Sequence, residues 1–95
     1  MSDLDLLHFE QLKSEVQSQY LKDHSPSFDE ISKWKGIDII YFQEDLRKKA
    51  KGNISEKSFY TYFKNSPVTK LRRIDTLNIL SVYAGYVSWY DFKKN

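Results

Sequence analysis

The sequence predicts an all-α fold, a compact bundle of about six short helices that contains a helix-turn-helix-like pair. Three observations carry this expectation. Apolar residues recur at spacings of three and four in segment after segment. The three glycines, Gly36, Gly52 and Gly85, each fall where such a segment stops. The one strand-like run, Ile37 to Phe42, continues with helical spacing through Leu46 and Ala50. Ninety-five residues, 40% of them hydrophobic and 16% aromatic, suffice for one core and are too few for two, so residues 1–95 read as a single domain. A chain with seven Tyr, six Phe and two Trp is not of the disordered class.

Phe9, Leu12, Val16 and Tyr20 mark one stripe of a first helix, and Leu4 and Leu7 are expected to extend its contact toward the start. Ser25–Pro26–Ser27 interrupts the pattern. Ser27 and Glu30 have capping-box spacing and predict a short second helix from about Phe28 to Trp34, ended by Gly36. Ile39, Phe42, Leu46 and Ala50 define a third helix over 38–51; Lys48, Lys49 and Lys51 crowd its last turn, where cations meet the negative end of the dipole. Gly52 is expected in the left-handed C′ position. Ser55 is the N-cap of a fourth helix with Glu56 in its first turn and Phe59 and Phe63 on its apolar side. Lys64 to Arg73 reads as a basic loop containing Pro67. Ile74, Leu77, Leu80 and Ala84, with Ile79 and Tyr83 alongside, give a fifth helix stopped by Gly85; Ser88 caps a last turn that carries Trp89 and Phe92.

Charge divides the chain. Residues 1–45 hold four lysines against ten acids, a net −6, whereas residues 46–95 hold eleven bases against three acids, a net +8. The expected organisation is an acidic pair of N-terminal helices over 1–36 and a basic, helix-turn-helix-like part over 37–95. Such asymmetry suggests a polyanion partner, or an acidic face meeting a basic face of another copy.

Several chemistries are excluded. With no cysteine there is no disulfide, iron–sulfur cluster, thiolate zinc site or cysteine nucleophile. His8 and His24 have no ligand partner at helical spacing, the isolated glycines make no phosphate cradle, and no nucleophile elbow is present, so neither enzyme activity nor a metal or other cofactor is expected. The paired acids Asp29–Glu30 and Glu44–Asp45 read as caps and solvated faces. No apolar run approaches the roughly 18 residues of a membrane span. Acids at Asp3 and Asp5 stand where a secretory leader carries lysine, and a cytoplasmic location is the expectation.

The third and fourth helices, joined by a short glycine-containing turn, have the layout of a helix-turn-helix. Burial of Ile54, Phe59 and Phe63 would leave Lys57, Tyr60, Thr61 and Lys64 on the outer face, the one such a unit presents to the major groove. Lysine suits phosphate or guanine, threonine a thymine methyl or base edge, and tyrosine a phosphate. Lys48, Lys49 and Lys51, and the cluster Lys70, Arg72 and Arg73 before the fifth helix, are the expected phosphate contacts on duplex DNA.

The segment Ile54–Ser55–Glu56–Lys57–Ser58–Phe59–Tyr60–Thr61–Tyr62–Phe63–Lys64 resembles the recognition-helix motif of AraC-type helix-turn-helix regulators. Ala84 to Lys94, with Gly85, Tyr86, Ser88 and Phe92, is similar to the second motif of that family, the linker between the two being shortened to Asn65–Arg73. The order of Trp34–Lys35–Gly36, Ile54–Ser55–Glu56–Lys57, Arg73–Ile74–Asp75 and Gly85–Tyr86 to Phe92 resembles small N-terminal modules of largely uncharacterised bacterial proteins. The first resemblance implies DNA binding; the second implies a helical module within a larger bacterial protein and no particular activity. An alternative expectation comes from size, helix count and charge split alone, which match the outline of death-fold-like adaptor domains. There the partner is another protein or a second copy, with Glu10, Glu15, Asp29, Glu30, Glu44 or Asp45 opposing Lys48, Lys49, Lys51, Arg72 or Arg73.

Overall fold

A computed structural model of the chain describes residues 3–64 and 73–94. Helix α1 (Asp3–Leu21) buries the expected stripe of Phe9, Leu12, Val16 and Tyr20. Leu4 and Leu7, expected to join it, are exposed instead, and Leu6 packs on the core. At about 100° per residue, steps of two and five from Phe9 carry Leu7 and Leu4 far around the helix, while a step of three keeps Leu6 near the stripe.

The expected second helix is not formed. Only a single 3-10 turn, Ile31–Lys33, occupies the segment, and Glu30 before it is extended, with no side-chain cap. Two side chains take over its backbone groups. The Ile31 N–H donates to Gln17 Oε1 at 2.7 Å, and the Trp34 indole N–H donates to the Phe28 carbonyl at 2.6 Å. A fully buried indole needs an acceptor, and a carbonyl not used in a helix supplies it.

Helix α2 runs Ile37–Ala50 and buries Ile39, Phe42, Asp45 and Leu46. Its left-handed C-cap is Lys51, at φ 59 and ψ 24, and not Gly52 as expected. Gly52 serves packing: a Cβ there would lie 2.7 Å from both Cγ1 and Cδ1 of Ile79. After the turn, Ser55 accepts the Ser58 N–H at 3.0 Å and caps α3, Glu56–Phe59, which continues directly into a π-helix, Tyr60–Lys64. The expected loop residues 65–72 lie outside the described part.

Helix α4 (Ile74–Tyr83) buries Leu77, Leu80 and Tyr83 together with Thr76 and Ser81; Ile74, its first residue, is exposed. The Ser81 hydroxyl is satisfied by the Leu77 carbonyl at 2.7 Å. The helix ends in a Schellman motif, in which Gly85 N–H donates to Val82 and Tyr86 N–H to Ser81, with Gly85 at φ +105. Helix α5 (Trp89–Lys94) starts at Ser88, whose hydroxyl accepts the Asp91 N–H while Asp91 accepts the Val87 N–H.

These elements form an all-α bundle around Phe42. The rings of Tyr20, Trp34, Phe59, Phe63 and Tyr83 surround it with centroids 5.6 to 6.1 Å away. The radius of gyration, 12.3 Å, is that of a well-packed chain of this length, about 12 Å. Among the described residues there is no strand, and no helix is long and apolar enough to cross a membrane.

Candidate nucleic-acid interface

The α2–turn–α3 pair presents one face away from the core. Ile54, Phe59, Tyr62 and Phe63 are buried, as an amphipathic α3 requires, and Lys57 and Tyr60 are exposed. Lys57 and Thr61, one turn apart, border an open groove of about 340 Å³ with Ser55, Ser58, Tyr62 and Arg73. The start of α4 thus brings Arg73 to the outer side of α3. Among the described residues Lys57 and Arg73 enter no ion pair, and both are exposed. The Thr61 hydroxyl donates to the Lys57 carbonyl at 3.0 Å, which leaves its methyl as the group to offer.

The other expected contacts divide. Lys48 and Lys51 are exposed on α2 and its cap. Lys64 is half-buried, and its ammonium donates to the Ser32 carbonyl at 2.9 Å and lies 5.4 Å from the Tyr60 ring centre. Burial, helped by the charge of Lys35, lowers the pKa of Lys64 below the ordinary lysine range. It ties α3 to the 3-10 turn and does not stand on the outer face with Lys57. Lys49 is likewise engaged within the fold, at 2.6 Å from Asp23 and 3.3 Å from Asp45. Lys70 and Arg72 lie outside the described residues.

Asp45 overturns the reading of Glu44–Asp45 as a solvated pair. It is buried, and its carboxylate receives the Tyr83 hydroxyl at 2.5 Å, with Lys49 Nζ and His24 Nε2 each 3.3 Å away. His24 stacks on Tyr20 at 4.4 Å between ring centres. This cluster joins the end of α1 to α2 and α4. Position gave the signal: Asp45 follows Phe42 by three and precedes Lys49 by four, on the core-facing stripe. Lys13 was missed for the same reason; buried four residues after Phe9, it donates to the Tyr62 carbonyl at 3.0 Å and pairs with Glu10. Because Asp45 and Lys49 satisfy one another inside the chain, neither belongs to an acidic or basic face offered to another copy. Among the described residues, no three His, Asp or Glu side chains are placed to hold a metal ion.

Comparison with known protein families, curated proteins and solved structures finds no match.

Proposed function

We propose that the domain is a DNA-binding module of helix-turn-helix type, with α3 as the helix that enters the major groove. One observation carries the reading: Lys57, Thr61 and Arg73 meet along a single open groove on the outer side of the second helix of a helix–turn–helix pair. In this reading Lys57 and Arg73 hold phosphates, and the Thr61 methyl meets a thymine methyl or sits against a base edge. Tyr60, exposed on the same helical segment, adds a hydroxyl for the backbone. Lys64 and Lys49 take no part, since their ammonium groups serve the fold. The resemblance of Ile54 to Lys64 to AraC-type recognition helices supports the same assignment.

The test is fluorescence anisotropy with a random-sequence duplex at about 50 mM salt, where non-specific contacts are strong. Wild type should bind in the micromolar range, and Lys57→Glu with Arg73→Glu should abolish binding while the far-UV helical signal is kept. Lys57→Ala or Arg73→Ala alone should lower the slope of log affinity against log salt by about one unit each. Absence of wild-type binding at tens of micromolar protein overturns the proposal.

A further inference from the structure

Two helices carry the same exposed stripe. On α1 the exposed residues Leu4, Leu7, Gln11, Ser14, Glu15 and Ser18 follow one another down one face. On α2 and its cap, Ile37, Ile40, Glu44, Arg47, Lys48 and Lys51 repeat those increments member for member, 33 positions later. Each stripe begins with large apolar side chains that water covers: Leu4 is 60% and Leu7 56% exposed, Ile37 55% and Ile40 47%, with Tyr41 beside them at 52%. Eleven positions on, Glu15 of α1, exposed while accepting the Tyr86 hydroxyl at 2.8 Å, and Lys48 of α2 are of opposite sign; the α2 stripe as a whole, with Glu44, Arg47, Lys48 and Lys51, is basic. Neither stripe covers the other within one chain, since both are exposed. Contiguous exposed apolar residues of this size mark interaction sites more often than plain surface.

We infer that the α1 stripe of one copy docks on the α2 stripe of a second copy. Laid side by side and parallel, the helices bring Leu4 against Ile37, Leu7 against Ile40 and Glu15 against Lys48 in one register. An antiparallel arrangement that matches the apolar ends leaves Glu15 and Lys48 far apart. Two helices crossing at about 20° keep such a register over several turns. The two surfaces differ, so the contact is heterologous: every added copy leaves one α1 stripe and one α2 stripe open, and assembly continues head to tail. The area is small, below the roughly 1,200 Å² of stable complexes, so association is weak and depends on concentration. Its centre is apolar, with one rim ion pair, so high salt weakens it only modestly. This assembly uses different residues from the groove of Lys57, Thr61 and Arg73 and stands or falls without DNA.

Sedimentation velocity on the purified chain from about 10 μM to about 0.5 mM, with no nucleic acid, tests it in the range of weak contacts. The weight-average mass of wild type should rise with concentration. Leu7→Glu and Ile40→Glu, both at exposed positions where folding is little affected, should each be monomeric. Mixed at equal concentration, they should form a one-to-one dimer and nothing larger, because each retains the stripe that the other lacks. Leu4→Glu and Ile37→Glu form a second pair with the same expected behaviour. A wild-type monomer at every concentration overturns the inference, as does a mixture that stays monomeric. Association that Ile40→Glu removes and Leu7→Glu leaves intact overturns it too, since that marks a symmetric α2–α2 contact.

Discussion

The hydroxyl of Tyr83 donates to the buried carboxylate of Asp45 at 2.5 Å, joining α4 to α2 through a charge that the core would otherwise reject. Burial works against the charged form of Asp45, but the hydrogen bonds from Tyr83, Lys49 and His24 outweigh it and hold the carboxyl below its ordinary pKa range. A lowered carboxyl pKa contributes stability that is complete above the unfolded value of about 3.9 and is lost as pH falls through the folded value. Burial of Tyr83, followed by its bond to Asp45, pushes its phenol well above the ordinary range, and burial with the charge of Asp45 raises Tyr20 to about 12. Raised phenols contribute stability that is complete below about pH 10 and is lost as pH rises through the folded values. Urea unfolding should therefore show a plateau through neutral pH that falls at both ends. Tyr83→Phe should lower the plateau by about 1–3 kcal/mol, because one strong donor to a buried charge is gone. It should also move the acid limb to higher pH. An unchanged acid limb in Tyr83→Phe would show that the bond has no electrostatic role.

Phe42 touches five other rings, contributed by α1, the segment before α2, α3 with its π-helical continuation, and α4. Phe42→Ala should cost about 3–5 kcal/mol, the range for a buried aromatic that leaves a cavity. That is a large share of the stability of a domain this small. Chemical denaturation, with near-UV circular dichroism as a second probe, measures it, and a loss under about 1 kcal/mol would remove Phe42 from the centre of the core.

Gly52→Ala should be destabilising through crowding and not through backbone strain. The new methyl meets Ile79 at 2.7 Å, and overpacking of this kind costs about 1–3 kcal/mol. The same change in an Ile79→Ala background should cost much less, so the double-mutant cycle has a large coupling term. Equal costs in both backgrounds would assign the effect to the turn itself.

Removing residues 88–95 should unfold or aggregate the chain. Trp89 and Phe92 are buried, their rings stack at 5.8 Å, and Phe92 meets Tyr86 edge to face at 5.0 Å. The truncated chain would expose the surface of α4 that these rings cover. Thermal melting is the readout, and an unaltered midpoint would mean that α5 is peripheral.

Much of this architecture is legible in the residues. Apolar spacing located α2 and α4 to within a residue or two and found the buried stripe of α1, because each stripe is long enough for its period to dominate. Ser55 and Ser88 were readable as caps for the same local reason. The 28–34 segment was not readable, since Ser27 and Glu30 carry a helix signal that tertiary bonds from Gln17 and Trp34 override. The site divided along similar lines. Lys57 and Thr61 could be placed on one side from helical phase, whereas Arg73 joins them only through the packing of α4. The fates of Lys49 and Lys64 could not, because their partners, Asp23 and Ser32, lie 26 and 32 residues away in sequence. Long polar stems find carbonyls and carboxylates that no local pattern announces.

Lys93 on α5 lies 3.2 Å from Asp5 on α1, two side chains 88 positions apart. The first turn of α1 and the last turn of α5 therefore lie side by side in the bundle. The same contact lets a change at one of these turns be felt at the other.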